Sequence, residues 1–430
     1  MIMYEIPMTA VEEFERLISK HLRRWLCLPP GTSSVALYAT STKLKLPLKS
    51  VVEEFKVGKC RTVVAMAESK DPIVQAVQPD VKTGIKWKAS EEVAGAKFDI
   101  NIEKMIGVVP VGRQGLGYGV DSKQSLPRLQ IAEKVKSNIE HVRYVTACQQ
   151  PSQGRWTAWK DIEVRELSWS ELWNVSDKRI SMMIKSAYDV LGTPANLKKW
   201  NLQESDQCVL CDKSPCNLKH ILSNCSVALV GGRYTWRHDR VLKCIVSASD
   251  SIVVEHNSKP NKPRNNAIVF LRKGQAPKSK AKAPRTSVLG SADDWVVISD
   301  LETQLVVPRE IAITSLRPDI VLWSRKGKAV VLCELTCPWE ENAEWAHERK
   351  LAKYEGLKNE IASNGWIVKV FAVEVGCRGF ASRSLRSYLT AMGASNRKIK
   401  SAVKECCEVA ERASVDIYLS RNEGWTKRDV

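Results

Sequence analysis

Apolar residues in the first 70 positions recur every three or four places. Val11, Phe14, Leu17 and Ile18 form one stripe, and Val52 with Phe55 opens another, which predicts two amphipathic helices. Each has a start signal, Thr9 with Glu12 for the first and Ser50 with Glu53 for the second, an N-cap whose partner lies three residues on. Ile131, Val135, Ile139 and Val142 predict a further helix over about 128–145. The glycines of GRQGLGYG at 112–119 lack both the GxGxxG order and the Lys-Ser/Thr ending of a phosphate loop, so they read as a turn. Residues 151–200 carry Trp156, Trp159, Trp169, Trp173 and Trp200 in a polar stretch. Bases can stack on such rings, but packing against neighbouring structure is the stronger reading.

From Trp295 to about Ala413 the pattern changes to short apolar runs alternating with helical stripes, the mark of an α/β domain. In RPDIVLWSRKGKAVVLCELT, residues 317–336, two strand-like runs flank a Lys326-Gly327 turn and predict a central hairpin. Each run carries one acid. A turn centred on Lys326-Gly327 sets Asp319 directly opposite Glu334, whereas a slip of one residue sends them to opposite faces. Facing like charges are destabilising, and a hard cation such as Mg²⁺ would offset them and lower the pKa of a bound water for attack on a phosphodiester. The next helix, about 341–363, has Ala343, Ala346, Tyr354, Leu357 and Ile361 as its apolar stripe, with Lys350 on that stripe and Lys353 one turn on. A lysine there would stabilise the charge that builds up during phosphodiester cleavage; one that snorkels to solvent is the alternative.

Charge adds a partner class. The 430 residues include 66 Lys and Arg against 48 Asp and Glu, a net charge of +18, and such a surface concentrates polyanions. Residues 257–292 hold nine Lys or Arg and no acid, which predicts a basic linker with at most a short strand at 267–271. No run approaches the roughly 18 apolar residues of a spanning helix, and the N-terminus carries acids where a secretory signal would not. Thirteen scattered cysteines lack the density of a disulfide scaffold. Together these predict an intracellular protein with no membrane partner.

The cysteines cluster once, in CVLCDKSPCNLKHILSNC. Cys208 and Cys211 are separated by two residues, and His220 and Cys225 follow, a spacing that suits one tetrahedral Zn²⁺ in a closed, structural site. Cys216 is a fifth candidate, able to replace a ligand or simply pack.

The order of the Cys-Cys-His-Cys cluster, Arg237-His238-Asp239, Arg317-Pro318-Asp319, Glu334-Leu335-Thr336 and Lys350 through Lys353-Tyr354 resembles the C-terminal region of non-LTR retrotransposon proteins that carry a restriction-like endonuclease of the PD-(D/E)xK superfamily. The resemblance implies a multidomain chain. A mainly α-helical N-terminal half would comprise 1–150, like the segment after a polymerase palm, and a Trp-rich helical linker at 151–205. A CCHC zinc knuckle would follow at 206–245, a basic linker at 246–292, an α/β PD-(D/E)xK domain with a central mixed sheet at 293–413 and a tail at 414–430. It implies a metal-dependent endonuclease that nicks DNA, with Asp319 and Glu334 binding Mg²⁺ or Mn²⁺ and Lys350 or Lys353 stabilising charge. Arg237, His238 and Arg317 would contact nucleic acid, Cys208, Cys211, His220 and Cys225 would hold structural Zn²⁺, and the setting would be the nucleus. DNA is the implied partner and RNA the alternative; the rival function is a non-catalytic nucleic-acid-binding retroelement fragment. Departures are a missing polymerase palm and missing N-terminal DNA-binding fingers, so the chain is expected to be the C-terminal portion of an element. The adjacent aspartates of SADDW, 291–295, follow a basic linker and are no polymerase metal site. Glu374 and Asp300 are acids without an assigned role.

Overall fold

The computed structural model describes residues 5–77, 81–107, 128–258, 287–301 and 303–425. The glycine-rich stretch 112–119, most of the basic linker with its 267–271 run, and the last five residues of the tail lie outside the described residues. The chain divides into two compact units, Met1–Thr157 with Arg165–Val190, and Ala158–Val164 with Leu191–Val430. No helix among the described residues is long and apolar enough to cross a membrane.

The first unit is helical. In chain order it contains α1 (Met8–Trp25), α2 (Val35–Tyr38), β1 (Leu44–Lys45), α3 (Val51–Ala67), α4 (Pro72–Val77), α5 (Ala89–Gly107), α6 (Arg128–Cys148), β2 (Arg165–Glu166), α7 (Trp169–Asn174) and α8 (Asp177–Ala187), with β1 and β2 paired in parallel. α3 starts as expected, Ser50 Oγ accepting from the Glu53 backbone amide at 3.1 Å. Glu53 does not close the box, because its carboxylate turns to Arg143 of α6 at 2.5 Å, and Glu15 takes the Ser50 hydroxyl and the Val52 amide instead. The Thr9 cap is corrected: α1 begins at Met8 after Pro7 with no side-chain cap, which puts Thr9 inside the first turn. Val57, Cys60 and Val64 of α3 pack with Val93 and Ala96 of α5 and Ile131 and Val135 of α6. Phe14, Leu17 and Val142 stay exposed, so the predicted stripes are buried only in part.

The second unit contains α9 (Pro194–Lys199), α10 (Ser226–Val230), α11 (Arg233–Asn257), β3 (Val296–Ser299), β4 (Ile320–Ser324), β5 (Ala329–Thr336), α12 (Ala343–Ser363), β6 (Ile367–Glu374), α13 (Arg383–Ala391) and α14 (Asn396–Leu419). Its mixed sheet has the order β3-β4-β5-β6, antiparallel up to β5 and parallel between β5 and β6, the pair that α12 connects. Side chains alternate between faces. Ile320, Leu322, Val331, Cys333, Leu335 and Val373 meet α11, α13 and α14 on one side. Val321, Val330 and Leu332 meet Tyr354, Leu357 and Ile361 of α12 on the other. The stretches that composition separates, 206–245 and 293–413, therefore belong to one unit, since α11 begins in the first and packs on the sheet of the second.

Two ionic arrangements fix this frame. Asp293 pairs with Lys326 at 2.9 Å, and Asp294 accepts from the Lys326 amide at 3.0 Å and from Ser324, so the SADDW acids hold the hairpin turn. Arg378 donates to Glu340 at 2.6 Å with both side chains at most 1% exposed, and its guanidinium lies 4.2 Å from the Trp159 ring and 3.6 Å from the Trp339 ring. The tryptophan-rich stretch thus splits: Trp156 and Trp159 are buried, while Trp169 and Trp173 are exposed and Trp200 is only partly covered.

Candidate functional site

The Cys/His cluster is compact. Cys208 and Cys225 have their sulfurs 4.0 Å apart, Cys211 Sγ is 3.3 Å from His220 Nε2, and the four ligand atoms all lie within 4.8 Å of one another. A tetrahedral zinc with bonds of about 2.0–2.3 Å holds its ligands roughly 3.3–3.8 Å apart, so these donors, near that spacing, could hold such an ion. Cys216 is buried and falls outside the set. Burial opposes a thiolate at Cys208, but hydrogen bonds from the Leu210 and Cys211 amides and the neighbouring thiols bring its pKa below the ordinary value. Burial lowers the pKa of His220, which favours the neutral ring a metal takes. α11 clamps this turn: the Tyr234 hydroxyl lies 3.1 Å from the Cys225 amide and 2.9 Å from the Ile221 carbonyl, and Arg237 donates to the Leu222 carbonyl at 3.0 Å.

The hairpin adopts the register that its turn implies. Ile320 pairs with Cys333 and Ser324 with Ala329, which brings Asp319 opposite Glu334. The Asp319 amide donates to Glu334 Oε2 at 3.3 Å, and the Leu335 amide donates to Asp319 Oδ2 at 2.6 Å. Glu334 is 4% exposed. Its Oε1 accepts from Lys350 at 2.5 Å and from Lys353 at 3.2 Å, so the two lysine candidates converge on one oxygen. Its Oε2 also meets the Tyr354 hydroxyl at 2.7 Å, and that hydroxyl lies 2.9 Å from the Arg317 carbonyl. Burial and the Glu334 carboxylate raise the Tyr354 pKa well above the phenol range, so it stays a donor. The Arg317 side chain is exposed.

Of the two α11 residues expected at nucleic acid, His238 is beside the pair, with Nε2 3.4 Å from Asp319 Oδ2 and Nδ1 3.1 Å from Asp239. Burial works against its charge, but the bonds to Asp239 and Asp319 outweigh it and push its pKa up to about 11. The other expectation is corrected. Arg237 is 1% exposed, and its guanidinium serves the Leu222 and Cys337 carbonyls and Ser414 Oγ, which leaves no face for a phosphate. Asp300 accepts from the Leu305 amide at 2.7 Å, a loop-closing role.

Periodicity did not single out Tyr354 as more than an apolar residue, nor His347 and Ser384, which meet the buried Glu374 at 3.0 and 2.6 Å. No protein-family model matches this chain, and no curated protein matches it either.

Proposed function

We propose that this chain is a metal-dependent DNA endonuclease module of the retrotransposon type, nicking DNA by phosphodiester hydrolysis, with structural zinc at the Cys/His cluster. The observation that carries this reading is the convergence of Asp319, Glu334, Lys350 and Lys353 from three separate elements. Mg²⁺ or Mn²⁺ fits the donors. Asp319 Oδ1 has no hydrogen-bond partner among the described residues, and Glu334 Oε1 is held by two lysines, of which Lys353 is 40% exposed. Magnesium commonly takes one or two carboxylates and completes its shell with water and phosphate oxygens. When bound, the ion would supply an activated water.

The residues of the chain do the remaining work in this account. Tyr354 and the Asp319 amide fix the Glu334 carboxylate in one orientation, and His238 with the Leu335 amide fixes Asp319. Lys350, one fifth exposed, supplies a fixed positive charge to the phosphate. Arg317 stands outside as a phosphate contact, and a DNA substrate makes the nucleus the natural setting. The test is Mn²⁺ binding followed by its electron spin resonance signal. One ion per chain, lost in Asp319→Asn, supports the site; equal binding by the variant removes it.

One observation favours a second reading, a non-catalytic nucleic-acid binder. Both oxygens of Glu334 already have donors from the protein, so the acid pair is tolerable without any ion. RNA is the other possible polyanion for such a binder.

A further inference from the structure

Glu334 is not the last acid on its face of the sheet. Thr336 of β5 pairs with Glu374 of β6, and because alternate residues share a face, Glu334, Thr336 and Glu374 form one row under α12. Glu374 is 1% exposed, with Ser384 Oγ donating to Oε2 at 2.6 Å and His347 Nδ1 3.0 Å from Oε1. A buried carboxylate is costly unless its charge is matched. Here the match is His347, whose pKa is raised by the bond to Glu374 in spite of burial, and whose side chain is 37% exposed.

That ring lines a cavity of about 490 Å³ with Leu351, Val370, Ala372, Ser384 and Ser387. Three acids also border it, two of them already engaged: Lys160 holds Glu344 at 3.0 Å and is drawn on by Glu348, and Arg383 lies 3.7 Å from Asp161. His347 is three residues before Lys350, a rise of about 4.5 Å along a helix.

We propose that this cavity is a subsite for the nucleotide adjoining the scissile phosphate, with His347 on that nucleotide's phosphate and the Leu351 and Val370 wall against its sugar and base. Its place beside a scissile phosphate rests on the endonuclease reading; binding of the nucleotide there does not require cleavage.

The experiment measures binding of a short fluorescent DNA duplex by the full chain in EDTA across a salt titration, for wild type, His347→Gln and His347→Arg. Loss of one phosphate contact lowers the slope of log K against log salt by about 0.9. His347→Gln is expected to lose that much, while His347→Arg, which keeps a charge, retains the wild-type slope. A single methylphosphonate linkage, moved along the duplex, should weaken wild-type binding at one position and leave His347→Gln unaffected there. An unchanged slope in a folded His347→Gln overturns the subsite, as does a wild type indifferent to every neutral linkage. Nicking with an unchanged slope would keep the endonuclease and remove the subsite; the slope change without nicking would do the reverse.

Discussion

His238, in the second turn of α11, stands 3.4 Å from Asp319, and the residue before it donates to the carbonyl of Leu222 in the Cys/His turn. One helix therefore touches both the Cys/His cluster and the acid pair, and the first should support the second.

Zinc removal tests that dependence. Chelation, or Cys208→Ser, should release about one zinc per chain and lower the unfolding midpoint by on the order of 10 °C, because structural zinc contributes folding free energy directly. Cys216→Ser should keep the metal. Elemental analysis with a thermal scan checks both, and zinc loss in the Cys216 variant would redraw the ligand set.

The lysines should separate in rate. Lys350 is the nearer and less exposed of the two on Glu334 Oε1. Lys350→Met is expected to slow nicking by about 10²–10³, the range for losing one preorganised charge-stabilising group, and Lys353→Met by much less. Single-turnover rates on one oligonucleotide decide it; equal losses would assign the role to the pair.

Stability depends on the Arg378–Glu340 pair, with both side chains at most 1% exposed. Arg378→Ala leaves a carboxylate buried and unpaired, which costs about 3–5 kcal/mol in comparable cases. Gly376 belongs to the same cluster, since a Cβ there would meet Glu340 Oε1 at 2.4 Å. Urea titration of Arg378→Ala measures the loss, and a change below about 1 kcal/mol would mean that water compensates.

The His347–Glu374 pair predicts a pH dependence. The pKa of His347 in the folded chain is raised above its ordinary value of about 6.5. Its stabilisation is then complete below about pH 6.5 and is lost as pH rises through the raised value. The gap in unfolding midpoint between wild type and His347→Gln should be widest below about pH 6.5 and narrow as pH rises through the raised value. A gap that widens with pH would contradict the protonated pairing.

The acid pair was legible as one of two registers: a Lys-Gly turn sets the acids opposite each other where a one-residue slip would part them, and the structure adopts the first. Cysteine spacing marked the Cys/His cluster for the same reason, a short loop with few solutions. The role of Tyr354 was hidden, since periodicity sees its ring and not its hydroxyl. Glu374, His347 and Ser384 are linked by no spacing at all; the crossover from β5 through α12 to β6 brings His347 to Glu374, and the turn from β6 into α13 brings Ser384. Arg237 carried a signal that its charge outweighed, for it shares a helical stripe with the buried Tyr234, Val241 and Ile245.

The most direct measurement is nicking of supercoiled plasmid by the purified chain in Mg²⁺ and in EDTA, beside Asp319→Asn, with DNA binding measured on the same preparations. The endonuclease account predicts metal-dependent nicking by the wild type, abolished in the variant while DNA binding persists. Equal nicking by Asp319→Asn, or tight binding with no nicking in any metal, would contradict it.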